Sequence, residues 1–158
     1  MRLLLLLVSL AVCHATVTPE MQKTIDEIMP AIKTISGGVP EDWSERDKSS
    51  FDQFIVNIVR GKLLTISEEL TKLKMRSTKA YEILRPIAVY FKNGYEKLKN
   101  KDGKQFFLNE LPSITHEGVG FGDMMAIAFN YWSLPDEATD EIYRVFPEVF
   151  EHIERSRQ

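Results

Sequence analysis

The chain has 158 residues, about the size of one domain. Its 20 Lys and Arg against 23 Asp and Glu give a net charge of −3, which argues against a general nucleic-acid binder. A composition of 44% apolar and 27% charged residues is that of a globular protein able to bury a core, and a single cysteine excludes an intrachain disulfide framework.

Residues 1–15 have the layout of a secretory signal peptide. Arg2 is a short basic start, residues 3–13 are apolar apart from Ser9, and Cys13-His14-Ala15 ends in small-x-small form. The run is too short to span a bilayer and has no polar face for lying on one. Cleavage after Ala15 leaves 143 of 158 residues and no cysteine, with 19 basic against 23 acidic side chains, a balance of −4. The expected product is a secreted domain, residues 16–158, held together by packing alone.

The mature chain reads as helical throughout. Thr18 can cap a first segment with Pro19 at its first position, and Met21, Ile25, Ile28, Ile32 and Ile35 follow at helical spacing until Gly37-Gly38. Pro30 is expected to kink or split it. Ser44 and Asp47 resemble a capping box ahead of the stripe Phe51, Phe54, Ile55, Ile58 and Val59, with Gly61 as the stop. A long segment from Thr65 or Ser67 to about Lys99 keeps Leu70, Leu73, Tyr81, Leu84, Ala88, Phe91, Tyr95 and Leu98 on one face. Lys72, Lys74, Arg76 and Lys79 load the other, and Pro86 is expected to kink or divide it. Asn100-Lys101-Asp102-Gly103 reads as a turn, and Phe106, Phe107, Leu108 and Leu111 as a short helix ending near Pro112. Residues 123–132 are apolar nearly all round, so they are predicted to form the central, buried helix. The last helix starts near Pro135 and carries Ile142, Val145, Phe146, Val149, Phe150 and Ile153 at helical offsets.

A search for chemistry yields little. Glu148 and His152 are spaced i, i+4, but a metal site needs further ligands and this flank is rich in Glu and Arg. His116 stands beside a glycine loop, and Gly118-Val119-Gly120-Phe121-Gly122 lacks the preceding strand and the Gly-Lys-Ser/Thr of a phosphate loop. No catalytic residue, metal or cofactor is expected. What remains is an excess of soft apolar side chains, with nine Phe, five Tyr, two Trp and six Met. They either fill an ordinary core or, with helices broken at Pro30, Pro86 and Pro112, surround an apolar cavity that takes up greasy ligands.

Several stretches resemble a known family. Leu73-Lys74-Met75-Arg76-Ser77-Thr78-Lys79-Ala80-Tyr81 is similar to the Leu-Lys-x-Lys-Ser-x-x-x-Tyr stretch of the nematode fatty-acid- and retinol-binding proteins. Leu134-Pro135-Asp136-Glu137-Ala138, with Ile142, Phe146-Pro147, Val149 and Ile153, resembles that family's C-terminal helix. Glu45-Arg46-Asp47-Lys48 and Met29-Pro30-Ala31 resemble shorter stretches of it. The chain departs from the family pattern in its glycine loop and in residues 36–43. The resemblance implies an all-α, single irregular helical domain enclosing an apolar cavity, a secreted carrier of fatty acids and, as a second class, retinol. Transient membrane contact for ligand transfer would fit, without nucleic acid. The cavity residues expected are Phe54, Ile58, Leu84, Ile87, Phe91, Met125, Ala128, Phe129 and Ile142, on inward faces, with Arg85 or Lys92 for a carboxylate head group. The alternative is a secreted helical interaction protein, or effector, with a filled core and no lipid.

Overall fold

The computed structural model describes residues 18–59, 62–114, 121–147 and 150. The expected signal peptide, Gly61, His116, Gly118, Gly120, Glu148 and His152 lie outside these residues. Among the described residues are seven α-helices, one 3-10 turn and no strand. The helices are α1 (Pro19–Gly37), α2 (Glu45–Val59), α3 (Ile66–Arg76), α4 (Thr78–Lys97), α5 (Lys101–Ile114), α6 (Phe121–Trp132) and α7 (Asp136–Val145), with the turn Lys62–Thr65 before α3.

The breaks fall where side chains can cap, not where prolines stand. Helix α1 runs through Pro30 and α4 through Pro86. Each proline withholds a donor from the carbonyl four residues earlier, but Asp26 and Glu82 both lie on exposed faces where water can take its place. The long segment divides instead at Ser77, whose backbone is extended at φ −151° and ψ 108°. Its N–H donates to the Leu73 carbonyl at 2.8 Å, closing α3, and its Oγ accepts from Ala80 N at 3.0 Å, opening α4.

Asn100 begins a helix instead of merely a turn, because its Oδ1 accepts from Asp102 N at 2.8 Å and Gly103 N at 3.2 Å. Glu141 of α7 reaches back to accept from the N–H groups of Lys99 at 2.9 Å and Asn100 at 2.8 Å. The terminal segment breaks at Phe146, which leaves helical geometry (φ −130°, ψ 55°) ahead of Pro147. Pro147 and Phe150 are helical again, Phe150 N donating to the Phe146 carbonyl at 3.1 Å, and Ile153 lies outside the described residues. At the end of α1, Gly38 adopts φ +91°, a left-handed value that glycine reaches without strain.

Helix α1 packs on α4, α4 also on α2 and α3, and α5 on α2, α6 and α7. Two clusters of buried side chains result. The first holds Ile28, Ala31, Trp43, Phe51, Phe54, Ile66, Leu70, Leu73, Ala80, Leu84, Ile87 and Ala88. Leu98, Phe106, Phe107, Ile127, Ala128, Tyr131, Ile142, Phe146 and Phe150 make up the second. Helix α6 is therefore not the centre of the molecule: it buries Ile127, Ala128 and Tyr131 and turns Ala126, Phe129 and Asn130 outward.

Candidate apolar site

Tyr90, Phe91 and Tyr95, on the second half of α4, pack against both clusters and are only partly buried in doing so. The Phe91 ring lies 5.4 Å from Tyr90, 6.0 Å from Phe146 and 6.1 Å from Phe107, centroid to centroid. Tyr90 in turn meets Phe146 edge-on at 5.6 Å. An aromatic seam thus joins the two clusters along one face of α4. Such rings present broad apolar faces and adjustable contacts.

The expected cavity residues distribute around this seam. Phe54, Leu84 and Ile87 are buried in the first cluster, with Ile58 and Phe91 packed on it. Ala128 and Ile142 are buried in the second. The Met125 side chain lies outside the described residues. Phe129 departs from its expected inward orientation. It is 60% exposed, its ring set edge-on to Trp132 at 5.6 Å. Its neighbours Ala128 and Ile127 take the buried face of α6, and a helix with only Asp123 and Asn130 as polar side chains offers little sequence signal for choosing between the faces. The Trp132 Nε1 is buried without a hydrogen-bond partner.

Neither expected cation faces the seam as an unspent charge. Lys92 is tied along α4 to Glu96 at 2.6 Å, and Arg85 lies on the exposed side of the helix. Other polar features lie elsewhere, of which only the Ser44–Asp47 pair was expected from the sequence. Glu69, only 4% exposed, accepts from Asn57 Nδ2 at 2.6 Å and Lys72 Nζ at 2.7 Å, linking α2 to α3. Asp47 accepts from the hydroxyls of Ser44 at 2.6 Å and Ser77 at 2.5 Å. These two bonds, with weaker help from the nearby Lys79 charge, hold its carboxyl below the usual carboxylate value of 3.8.

Among the described residues no cluster of three metal-ligating side chains occurs, and no helix is long and apolar enough to cross a membrane. The chain matches no protein-family model, no characterised protein and no solved structure.

Proposed function

We propose that this chain is a secreted carrier that reversibly takes up a fatty acid, with retinol as a second ligand class, among the apolar side chains between its helices. The supporting observation is the aromatic seam of Tyr90, Phe91 and Tyr95, where two separate core clusters meet across incompletely buried rings. An alkyl chain lodged against such rings gains roughly 0.8 kcal/mol for each methylene removed from water, before ordering costs. The motif resemblance around Leu73–Tyr81 and Leu134–Ala138 supports the same reading. Uptake requires no catalytic step.

The test is a titration of the delipidated protein with a fluorescent long-chain fatty acid, followed by displacement with oleate and with retinol. Saturable, blue-shifted binding at one site per chain, reversed by oleate, is expected. Phe91→Asp should abolish it while the far-UV helix signal persists. Equal binding by that variant would remove the seam from the site.

One observation favours a second reading, a secreted interaction protein with a filled core. Phe107 and Phe146 stack with centroids 4.4 Å apart, and the Phe146 ring sits so close to Gly94 that a methyl group there would overlap it. Around Phe146 the second cluster is packed to contact. A folded, delipidated protein that binds no lipid would decide for this alternative.

A further inference from the structure

Outside the apolar clusters, α2 and α3 border an open groove of about 260 Å³ lined by Arg46, Ser49, Ser50, Gln53 and Arg76, of which only Ser50 is buried. Arg46 lies in the first turn of α2 and Arg76 ends α3, so the fold brings two cations from distant parts of the chain to one concavity. Like charges gathered in a groove repel unless an anion sits between them. Among the described residues neither arginine has an ion-pair partner, and Glu69, the carboxylate that lines the adjoining crevice with Arg76, is already bound by Asn57 and Lys72. The ion pairs among the described residues, Lys48–Glu45, Lys72–Glu69 and Lys92–Glu96, all use lysine. Asp47, next to Arg46, is engaged by Ser44 and Ser77. The Ser50 hydroxyl is used on the Arg46 carbonyl at 2.6 Å, and Gln53 gives one amide hydrogen to Asn57 at 3.0 Å. The second amide hydrogen of Gln53 and the Ser49 hydroxyl complete the donor set.

We propose that this groove is a binding site for a compact oxyanion, of the phosphate or carboxylate type, held between the guanidinium groups of Arg46 and Arg76. Each planar guanidinium offers paired N–H donors that match two oxygens of such a group, and Ser49 and Gln53 supply neutral donors beside them. The groove narrows toward Phe54 and Leu73 into a crevice of about 10 Å³, which has no room for an alkyl chain. The anion is therefore recognised by its charged head alone, independently of any lipid at the aromatic seam.

The experiment is an NMR titration of the whole protein with inorganic phosphate at low ionic strength, following the arginine Nε–H signals, with acetate and chloride as parallel arms. Saturable shifts confined to Arg46 and Arg76 are expected. Arg46→Gln and Arg76→Gln should each weaken binding roughly tenfold, and added salt should weaken it further. Lys97→Gln, on the exposed end of α4, should leave it unchanged. Saturation by phosphate alone assigns the site to phosphate esters or free phosphate, and saturation by acetate as well admits carboxylates. Shifts that chloride reproduces, that do not saturate, or that survive in both arginine variants would overturn the proposal. Fatty-acid uptake is read separately by fluorescence, so either reading can fail alone.

Discussion

Ser77 and Asp47 carry more of the fold than their size suggests. Ser77 caps α4 by accepting from Ala80 N and donates a hydrogen bond to Asp47, which also accepts from the Ser44 hydroxyl at the start of α2. Replacing Ser77 with Ala removes the cap and is expected to cost about 1 kcal/mol in a urea melt. Because the folded state lowers the Asp47 pKa, the carboxylate contributes stability above the unfolded value of 3.8, and that contribution is lost as pH falls through the folded value. Asp47→Asn should therefore trail the parent at about pH 6 and approach it near pH 3, measured as urea midpoints. A gap independent of pH would place the effect elsewhere. The Ser44–Asp47 half of this arrangement is legible in sequence, since three residues separate a cap from its partner. The Ser77 half is not, because its partner lies thirty positions away on another helix.

At the scale of the elements, α4 comes very close to the residue that follows α7. A Cβ added at Gly94 would come within 2.1 Å of the Phe146 ring. That ring is fully buried among Tyr90, Phe91 and Phe107, so it has no free rotamer to yield into. Gly94→Ala should destabilise the protein by roughly 1–3 kcal/mol through overpacking, despite alanine's better helix propensity. Gly94→Ala combined with Phe146→Leu should recover part of this loss in thermal melts, and strictly additive losses would contradict the assignment. Helix number and faces follow largely from apolar spacing, as in α2, where Phe51 and Phe54 are buried as expected. The misplaced breaks come from treating proline as a stop. Pro30 and Pro86 lie inside continuous helices, four residues after the exposed Asp26 and Glu82, while a serine with two partners ends α3 and begins α4.

At the scale of the molecule, apolar residues divide into two clusters and an exposed remainder. Phe107→Ala should cost about 3–5 kcal/mol, as expected for a buried ring, whereas Phe129→Ser should change stability by no more than about 0.5 kcal/mol. Chemical denaturation of the two variants checks both, and a large effect at Phe129 would mean that its face is covered in solution. The candidate site was legible as a set of inward faces on α2 and α4, where polar positions alternate with apolar ones and fix the orientation. It was hardly legible on α6, where Asp123 and Asn130 are the only polar side chains, or at the Arg46–Arg76 groove, which depends on how α2 and α3 pack.

The order of the two clusters along the chain has a consequence for biosynthesis. Every buried member of the first lies between Ile28 and Ala88, while the second needs Phe146 and Phe150 from the end of the described chain. At about 5–20 residues per second, the first cluster has its full complement of side chains some seconds before the second can close. During that interval Phe91, Phe106 and Phe107 on α4 and α5 lack their ring partners Phe146 and Phe150. A released chain truncated near residue 130 should then resist protease around α1–α4 and be cut in α5, and uniform sensitivity would mean that the halves fold only together. A growing chain with its aromatic seam uncovered is also a chain that a hydrophobic ligand or a chaperone can reach before the last helix docks.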